Sequence, residues 1–391
     1  MTDTPTLSGN WNYPTTVRFG VGRISELAKC CRNLGMTRPL LVTDPGLAER
    51  DMVRDAIAAN SADDLPTSLF SNIKPNPVGQ NIFDGLSVFH AGGHDGVIAL
   101  GGGSAMDAGK TIAFMAGQKR PIWDFEDIGN NWKRAELDAI APIVAVPTTS
   151  GTGSEVGRAT VVIDEDTETK KILFHPRMLP ELVICDPALV AGLPPHLTAA
   201  TGMDALAHSL EAFCVDGYHP MADGIALEGL RLVHDWLPVA VEDGTNLEAR
   251  AHMMAAATMG ATAFQKGLGA IHSLSHPVGA VFDTHHGLTN AVFMPYVMVF
   301  NRKAIEEKME LLARFIGLKK PSFEAVLTWV LDLRERFDIP KTAADLGVAE
   351  DRLEDISSMA AKDPTAPTNP VKAGKKEMRQ MLDAAMEGRL G

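Results

Sequence analysis

Hydrophobic positions follow two different patterns in the two halves of the chain. In the first half, short apolar runs rich in β-branched residues alternate with segments of helical spacing. Strands are predicted at 39–44 (PLLVTD), 67–70, 95–104 (DGVIALGGGS), 141–150 (APIVAVPTTS), 159–163 and 181–187, and helices at 46–60 and 81–92. Strands that alternate with helices indicate parallel βαβ units, with helices packed on a sheet.

A proline-containing stretch at 189–202 ends this alternation. Beyond it the segments 222–241, 247–264 and 303–317 all have helical periodicity and are rich in Ala, Leu and Met. The length of 391 residues suits two hydrophobic cores. We therefore predict an α/β domain over residues 1–191 and an all-helical domain over residues 192–391.

Composition excludes several classes of partner. The chain has 36 basic and 49 acidic residues and a net charge of −13, without a basic stripe, which argues against nucleic acid. No apolar run is long enough to span a membrane, and the first fourteen residues lack the pattern of a secretion signal, so we expect a cytoplasmic protein with no membrane partner. The four cysteines have no CxxC spacing and are expected to be reduced thiols.

Two glycine-containing loops follow predicted strands. In GGGSAMDAGK (101–110), Gly101, Gly102 and Gly103 permit close backbone approach, and Ser104 with Asp107 is expected to cap the helix that follows. The free N–H groups there would bind a phosphate, although the loop is neither GxGxxG nor a Walker loop and a simple tight turn is the alternative. The second loop, PTTSGTGSE (147–155), should lie at the same carboxyl edge of the sheet, where doubly wound folds bind their ligands.

Asp44 ends the predicted strand 39–44. An acidic side chain at this position can accept hydrogen bonds from the ribose hydroxyls of adenosine and repel a 2′-phosphate, which favours NAD over NADP. The alternative is that Asp44 only starts the turn and helix after the strand.

Costly polar residues are concentrated in the helical half. Asp204 and His208 lie four apart in GMDALAHSLEAF, and four of the chain's 12 histidines fall within fifteen residues, at His272, His276, His285 and His286. A divalent cation would remove the penalty of burying this carboxylate and these imidazoles. One carboxylate with three histidines suits Fe(II), Zn(II), Co(II) and Mn(II) alike, and spacing alone does not choose between His285 and His286.

Four motifs, in their order and spacing, resemble the iron-containing (group III) alcohol dehydrogenases: DGVIALGGGSAMDAGK (95–110), PTTSGTGSE (147–155), ATGMDALAHSLEAF (200–213) and HSLSHPVGAVFDTHHG (272–287). The resemblance implies a Rossmann-like N-terminal domain with a parallel sheet, an all-α C-terminal domain, a dehydroquinate synthase-like architecture with a metal in the cleft, and a homodimer. It places the metal ligands on Asp204, His208, His272 and His286.

The same resemblance assigns the cofactor side. Gly101 to Ser104 would hold the pyrophosphate of NAD and Asp44 the ribose, while Thr148, Thr149 and Thr152 would line the cofactor. Asp107, which follows the glycines, is also counted among the cofactor-binding residues. A family lysine near the nicotinamide matches Lys170 or Lys171, and His276 matches a histidine close to the nicotinamide.

The expected function is therefore hydride transfer between a primary or secondary alcohol and NAD, assisted by Fe(II) or, second, Zn(II), with an aldehyde or ketone as the other substrate. The metal would act as a Lewis acid on the substrate oxygen, and NAD would carry the hydride. His276 would pass the proton to solvent; the alternative is that it only packs against or hydrogen-bonds a neighbour. The alternatives are a glycerol dehydrogenase-like or maleylacetate reductase-like enzyme, a metal-dependent hydrolase, and a non-catalytic binding protein. A serine hydrolase is disfavoured because Met106 replaces the second glycine of a nucleophile elbow.

Overall fold

The computed structural model describes residues 9–11 and 15–390. Most of the N-terminal stretch on which the secretion-signal prediction depended lies outside these residues. The described chain divides into two compact units, which part between Gly192 and Leu193, and the short segment Ser150–Thr152 belongs to the second unit. No helix in the described ranges has both the length and the hydrophobicity needed to cross a bilayer.

The first unit is built on a sheet with helices, as the alternating pattern predicts. Its strands are β1 Gly9–Trp11, β2 Thr16–Phe19, β3 Pro39–Val42, β4 Ser68–Phe70, β5 Gly96–Gly101, β6 Ile143–Pro147, β7 Ala159–Asp164, β8 Thr169–Phe174 and β9 Leu182–Cys185. Its α-helices are α1 Leu27–Asn33, α2 Pro45–Ala48, α3 Asp51–Ala62, α4 Gly79–Ala91 and α5 Gly103–Met115. Several short 3₁₀ turns connect them.

Seven of these strands form one sheet in the order β1-β2-β9-β6-β5-β3-β4, in which β1 alone is antiparallel to its neighbour. The central strands β3, β5, β6 and β9 are buried at every position, because helices cover both faces of a parallel sheet. Gly101 pairs with Pro147 in the register of β5 and β6. The two predicted glycine loops therefore begin side by side at the carboxyl edge.

Two local expectations differ from the structure. The strand predicted at 159–163 forms, but it pairs with β8 in a separate antiparallel hairpin rather than alternating with helices. Its buried and half-buried residues alternate, which is typical of a strand covered on one face only. The helix predicted at 46–60 is two helices, α2 and α3, because Arg50 has extended backbone at the start of α3.

The second unit is helical, as predicted. Its helices are α6 Pro195–Cys214, α7 Pro220–Glu242, α8 Leu247–Ala263, α9 Ala270–Phe282, α10 His286–Phe315, α11 Phe323–Arg336, α12 Leu353–Ala360 and α13 Lys375–Glu387. Helix α6 lies at the centre: every residue from Thr198 to Cys214 is buried, because α7, α8 and α10 pack around it. Small residues let the helices approach closely, since a Cβ on Gly229 would lie 2.7 Å from the Ser209 hydroxyl. Polar groups on α6 are consequently shielded from water.

Candidate metal centre and cofactor loops

Helix α6 presents Asp204 and His208 on one buried face, with one turn between them. Asp204 is 2% exposed and His208 is 4% exposed. The ring of His272, two residues into α9, stacks on the His208 ring at a centroid distance of 4.7 Å and an interplanar angle of 19°. The fourth residue, His286, begins α10. Segments far apart in sequence thus deliver one carboxylate and three imidazoles to one place.

One donor atom from each of Asp204, His208, His272 and His286 lies within 4.8 Å of the other three, a grouping that could hold a metal ion. The Asp204 Oδ1 atom is 3.6 Å from His286 Nε2 and 3.9 Å from His208 Nε2. A tetrahedral ion with bonds of about 2.0–2.1 Å holds its ligand atoms about 3.4 Å apart. The two separations measured from Asp204 are about 0.2 and 0.5 Å larger than that spacing.

The structure separates the adjacent histidines that spacing left undecided. His285 is exposed, and its Nδ1 accepts a hydrogen bond from the Leu288 N–H at 3.4 Å as the N-cap of α10. His286 points into the cluster, where its Nδ1 lies 3.2 Å from the Ser275 hydroxyl and its Nε2 near Asp204. The two neighbours therefore have different surroundings.

Two buried residues that the sequence reasoning missed surround the cluster. Glu211 Oε2 lies 2.5 Å from His272 Nδ1, and Glu211 Oε1 accepts a hydrogen bond from the Ile271 N–H at 2.8 Å. The Asn290 amide nitrogen lies 2.8 Å from Asp204 Oδ1 and 3.2 Å from the Nε2 atoms of both His272 and His286. The available signal for Glu211 was its position seven residues after Asp204, on the same helix face.

Burial and charge act differently on two stacked histidines. Burial lowers the pKa of His208 to about 4, although the charge of Asp204 opposes the shift. For His272 burial also favours the neutral ring, but the charge and hydrogen bond of Glu211 outweigh it and raise the pKa. His208 is consequently a neutral imidazole at neutral pH, the form that binds a metal.

His276, the predicted proton carrier, lies next to this cluster and is partly exposed. Its ring stacks on that of His286 at 5.5 Å and 13°, and its Nδ1 is 2.8 Å from Asp363 Oδ2. Burial works to raise the pKa of Asp363, but His276 and hydrogen bonds from Thr365 more than compensate and hold it low. Asp363 therefore orients the His276 ring through one nitrogen.

In the first unit, the glycine loop starts α5 without a side-chain cap. Gly102 is the N-cap residue, and Gly101 has a positive φ of 150° at a position where a Cβ would lie 2.6 Å from that of Ala105. The expected capping pair is wrong: Ser104 donates to the Pro75 carbonyl, and Asp107 accepts from the Ser154 hydroxyl and the Val161 N–H. The reason is that the glycines let the helix begin at Gly103, so that Ser104 already lies inside it.

Lys110 is a buried residue that the sequence reasoning passed over. Its ammonium donates to the Ser154 carbonyl at 2.9 Å, the Ser154 hydroxyl at 3.0 Å and the Ala159 carbonyl at 2.7 Å. Burial lowers its pKa to about 8, against the opposing charges of Asp107 and Glu155. These bonds attach α5 to the second loop and to the start of β7.

The remaining predicted cofactor residues lie around these loops. Thr148 is buried at the end of β6, and a methyl carbon of Thr149 lies 3.2 Å from the Cβ position of Gly102. Thr152 is half-buried in the segment that belongs to the second unit. Asp44 caps α2 by accepting from the Leu47 N–H at 3.2 Å, while its other oxygen is 3.4 Å from the Cβ position of Gly101.

The two candidate lysines lie on opposite faces of β8. Lys171 forms an ion pair with Asp164 at 2.8 Å and lies over the Trp123 ring. Burial raises the pKa of Asp107, which bonds to the second loop, and the positive charge of Lys170 is one of the effects that oppose this rise. The two lysines therefore have different electrostatic partners.

Comparison with known proteins gives the family. The family model "Iron-containing alcohol dehydrogenase" matches residues 14–187, and "Fe-containing alcohol dehydrogenase family, C-terminal" matches residues 198–386. The chain belongs to the iron-containing alcohol dehydrogenase family. It is an oxidoreductase of EC 1.1.1 type that transfers hydride between an alcohol and NAD and depends on a metal.

Relatives of this alcohol dehydrogenase match over nearly their whole length. It is 38% identical to 4-hydroxybutyrate dehydrogenase of Cupriavidus necator, covering 96% of this chain and 99% of that protein. It is 35% identical to 1,3-propanediol dehydrogenase of Citrobacter freundii, with coverages of 95% and 97%. The solved structure of a 1,3-propanediol oxidoreductase matches with a TM-score of 0.90, 34% identity and coverages of 97% and 100%. Sulfoacetaldehyde reductase from Bifidobacterium kashiwanohense, solved with NAD⁺, matches with a TM-score of 0.86, 28% identity and coverages of 95% and 97%.

These findings confirm the predicted fold class, enzyme class and cofactors of the alcohol dehydrogenase. They do not favour the alternatives considered from sequence, among them a glycerol dehydrogenase-like enzyme, a maleylacetate reductase-like enzyme and a hydrolase. The cluster in the second unit is compatible with the metal of the family, because three imidazoles and one carboxylate suit Fe(II) and Zn(II) and no thiolate is needed.

Proposed function

We propose that Asp204, His208, His272 and His286 bind the divalent metal, Fe(II) first and Zn(II) second, and that the alcohol is oxidised at this centre. The observation that supports the proposal most directly is the convergence of the four donor atoms within 4.8 Å. When bound, the ion supplies a Lewis acid that polarises the substrate oxygen. Asp204 contributes the negative charge that retains the cation, and the neutral His208 ring contributes a lone pair.

On the cofactor side, Gly101, Gly102, Gly103 and Ser104 would bind the pyrophosphate of NAD. The uncapped start of α5 supports this role, because its first N–H groups receive no side-chain acceptor and carry the positive end of the helix dipole. Asp107 would support the second loop rather than contact NAD, since both of its oxygens already accept hydrogen bonds within the protein.

The other cofactor residues would surround this pyrophosphate position. Thr148, Thr149 and Thr152 would line NAD along the second loop, and Lys170 would approach it from β8. Asp44 would receive the ribose through the oxygen that faces Gly101, while its other oxygen continues to cap α2. Ribose binding and helix capping are therefore compatible in one side chain.

His276 would carry the substrate proton to solvent. Its Nδ1 is held by Asp363, which leaves Nε2 as the nitrogen able to exchange a proton. The ring is partly exposed and stacked on His286, so it has both a path to water and a position beside the proposed metal centre.

We further propose that the substrate is a short linear alcohol with a second polar group at its far end, such as a diol or an ω-hydroxy acid. This choice is supported by the names of the relatives at 38% and 35% identity, a 4-hydroxybutyrate dehydrogenase and a 1,3-propanediol dehydrogenase. An aldehyde with the same far group would be the substrate in the reverse direction.

The test is an NADH absorbance assay on protein reconstituted anaerobically with Fe(II) or with Zn(II). The substrates would be 1,3-propanediol, 4-hydroxybutyrate, ethanol and 1-butanol, each with NAD⁺ and with NADP⁺. We expect a higher kcat/KM for the first two alcohols, with NAD⁺. Equal or higher kcat/KM for ethanol and butanol would refute the substrate class, and turnover equal in metal-free and reconstituted protein would refute the metal centre.

Three broader proposals accompany this function. A homodimer is implied by the family resemblance, and light scattering on the purified protein tests it. A cytoplasmic location is supported by the four free thiols, which suit a reducing compartment, and cell fractionation tests it. Domains over residues 1–191 and 192–391 are supported by the two compact units, and limited proteolysis tests the boundary.

A further inference from the structure

Glu211 is a buried carboxylate to which neither the family resemblance nor the proposed mechanism gives a role. It lies on α6, is 5% exposed, and contacts α9 through both of its oxygens. Among the residues that the structure describes, the basic side chain within ion-pair distance of Glu211 is His272, with 2.5 Å between Oε2 and Nδ1. Burying a carboxylate costs desolvation free energy, so a buried carboxylate whose basic partner is one histidine is expected to have a function at that histidine.

We infer that Glu211 is a positioning residue that fixes His272 as its Nδ1–H tautomer and thereby directs the Nε2 lone pair into the donor cluster. The inference rests on the proposed metal centre, because it assigns His272 as a ligand through Nε2. An ionised carboxylate only accepts hydrogen bonds, so the nitrogen that faces it must carry the hydrogen. In the neutral ring the other nitrogen is then unprotonated and able to bind a metal.

The second oxygen of Glu211 makes this arrangement rigid. Oε1 accepts from the Ile271 N–H, which belongs to the first turn of α9, a helix of 13 residues. The positive end of that helix stabilises the carboxylate, and the bond prevents the carboxylate from rotating away from the next residue, His272. One side chain thus sets both the start of α9 and the orientation of the ring that α9 carries.

The decisive variant is Glu211→Gln, which keeps the size of the side chain and removes its charge. If the amide oxygen keeps its bond to the Ile271 N–H, the amide NH₂ faces Nδ1 and His272 must adopt the Nε2–H tautomer, which cannot bind a metal through Nε2. We expect a loss of metal affinity of about 10–100-fold, the usual effect of removing such a partner. The affinity would be measured by Co(II) and Zn(II) titration of metal-free protein.

A second measurement does not depend on metal. The ¹⁵N shifts of the His272 ring in metal-free protein report the tautomer at alkaline pH, and the His272→Ala spectrum assigns the signals. We expect Nδ1–H in the wild type and Nε2–H in Glu211→Gln. An Nε2–H ring in the wild type overturns the inference even if the variant fails to fold.

The matched control is Asp186→Asn. Asp186 is a fully buried carboxylate that accepts from two backbone N–H groups, those of Ile24 and Ala188. Within the described part of the chain, it forms no ion pair or hydrogen bond with a histidine. The Asp186→Asn substitution should leave metal affinity and the His272 tautomer unchanged. Wild-type metal affinity together with an unchanged tautomer in Glu211→Gln overturns the role of Glu211 and leaves the metal centre standing. If His208→Ala binds metal as tightly as the wild type, the proposed centre itself fails.

Discussion

Helices α6 and α10 pack tightly at Gly287, immediately after His286, and a methyl group there should damage the proposed metal centre without altering any proposed ligand. A Cβ on Gly287 would lie 2.3 Å from the Ala200 carbonyl oxygen and 3.0 Å from the Asp204 Cβ. Real Cβ contacts begin near 3.0 Å, so α10 must retreat from α6 by about 0.7 Å in Gly287→Ala. The obstacle is backbone in the buried part of α6, which cannot rotate aside as a side chain could.

Such a displacement is large on the scale of metal coordination, where ligand distances are kept within about 0.2 Å. His286 would move with the start of α10, while Asp204 and His208 remain on α6. We expect metal affinity to fall by at least about 10-fold, and overpacking to lower the free energy of unfolding by about 1–3 kcal/mol.

Two measurements check this expectation. Co(II) titration followed by visible absorption gives the affinity, and urea unfolding of the metal-free protein gives the stability. The control is Gly224→Ala. Gly224 is an exposed glycine of α7, and no atom of the described residues lies within 4 Å of its Cβ position, so the substitution should stabilise the helix by about 0.5–1 kcal/mol. If Gly287→Ala retains the affinity and stability of the wild type, the two helices are not in tight contact and the reasoning is wrong.

Three further outcomes follow from the same structure. Asp204→Ala or His272→Ala should abolish turnover while NADH fluorescence still reports cofactor binding, because the proposed metal and NAD residues lie on different segments; loss of NADH binding in a folded variant would contradict this separation. Asp44→Asn should keep the cap of α2 but relax discrimination against NADP⁺, and an unchanged NAD⁺ to NADP⁺ ratio of kcat/KM would leave Asp44 with its capping role alone. In the metal-free protein, His208 has a pKa of about 4 in the folded state and an ordinary pKa of 6.5 in the unfolded chain. Between these values the unfolded chain binds the proton and the folded protein does not, so the free energy of unfolding should fall by up to about 3 kcal/mol as the pH drops from 6.5 to 4. The pH slope of urea unfolding should be shallower in His208→Leu; an equal slope would show that another group is responsible.

The fold was largely predictable because its two halves bury their surfaces in different ways. Continuous apolar runs such as Gly96–Gly101 identify strands of a parallel sheet covered on both faces, and no helix pattern competes with them. Hydrophobic periodicity did not predict the position of β7 in the fold, because that position depends on strand pairing. Strand β7 pairs with β8 in a hairpin, and the hydrophobic pattern of one strand does not show which other strand will pair with it.

For the candidate site, too, only the residues that carry a local sequence pattern were predictable. Asp204 and His208 were visible because their spacing is local to one helix, and the histidine density at 272–286 was visible as composition. Glu211, Asn290 and Lys110 were not, because each acts through contacts with residues distant in sequence, 61 positions away for Glu211 with His272. The error at Ser104 had a different origin, since a capping residue can be assigned only when the start of its helix is known, and three successive glycines obscure that start.

The charged residues on the buried helix α6 have an electrostatic explanation. Asp204 and Glu211 lie on one face of α6, and when both are ionised they give the buried cluster a formal charge of −2, which a divalent cation would balance. In the metal-free protein the Asn290 amide donates to Asp204, and Glu211 holds the pKa of His272 high, so that hydrogen bonds and a proton partly replace the ion. Helices α9 and α10 supply the complementary groups at their first turns, where a small number of backbone positions controls the geometry. Packing of the three helices and satisfaction of their polar groups therefore depend on the same residues, which couples the core of the second unit to the proposed metal centre.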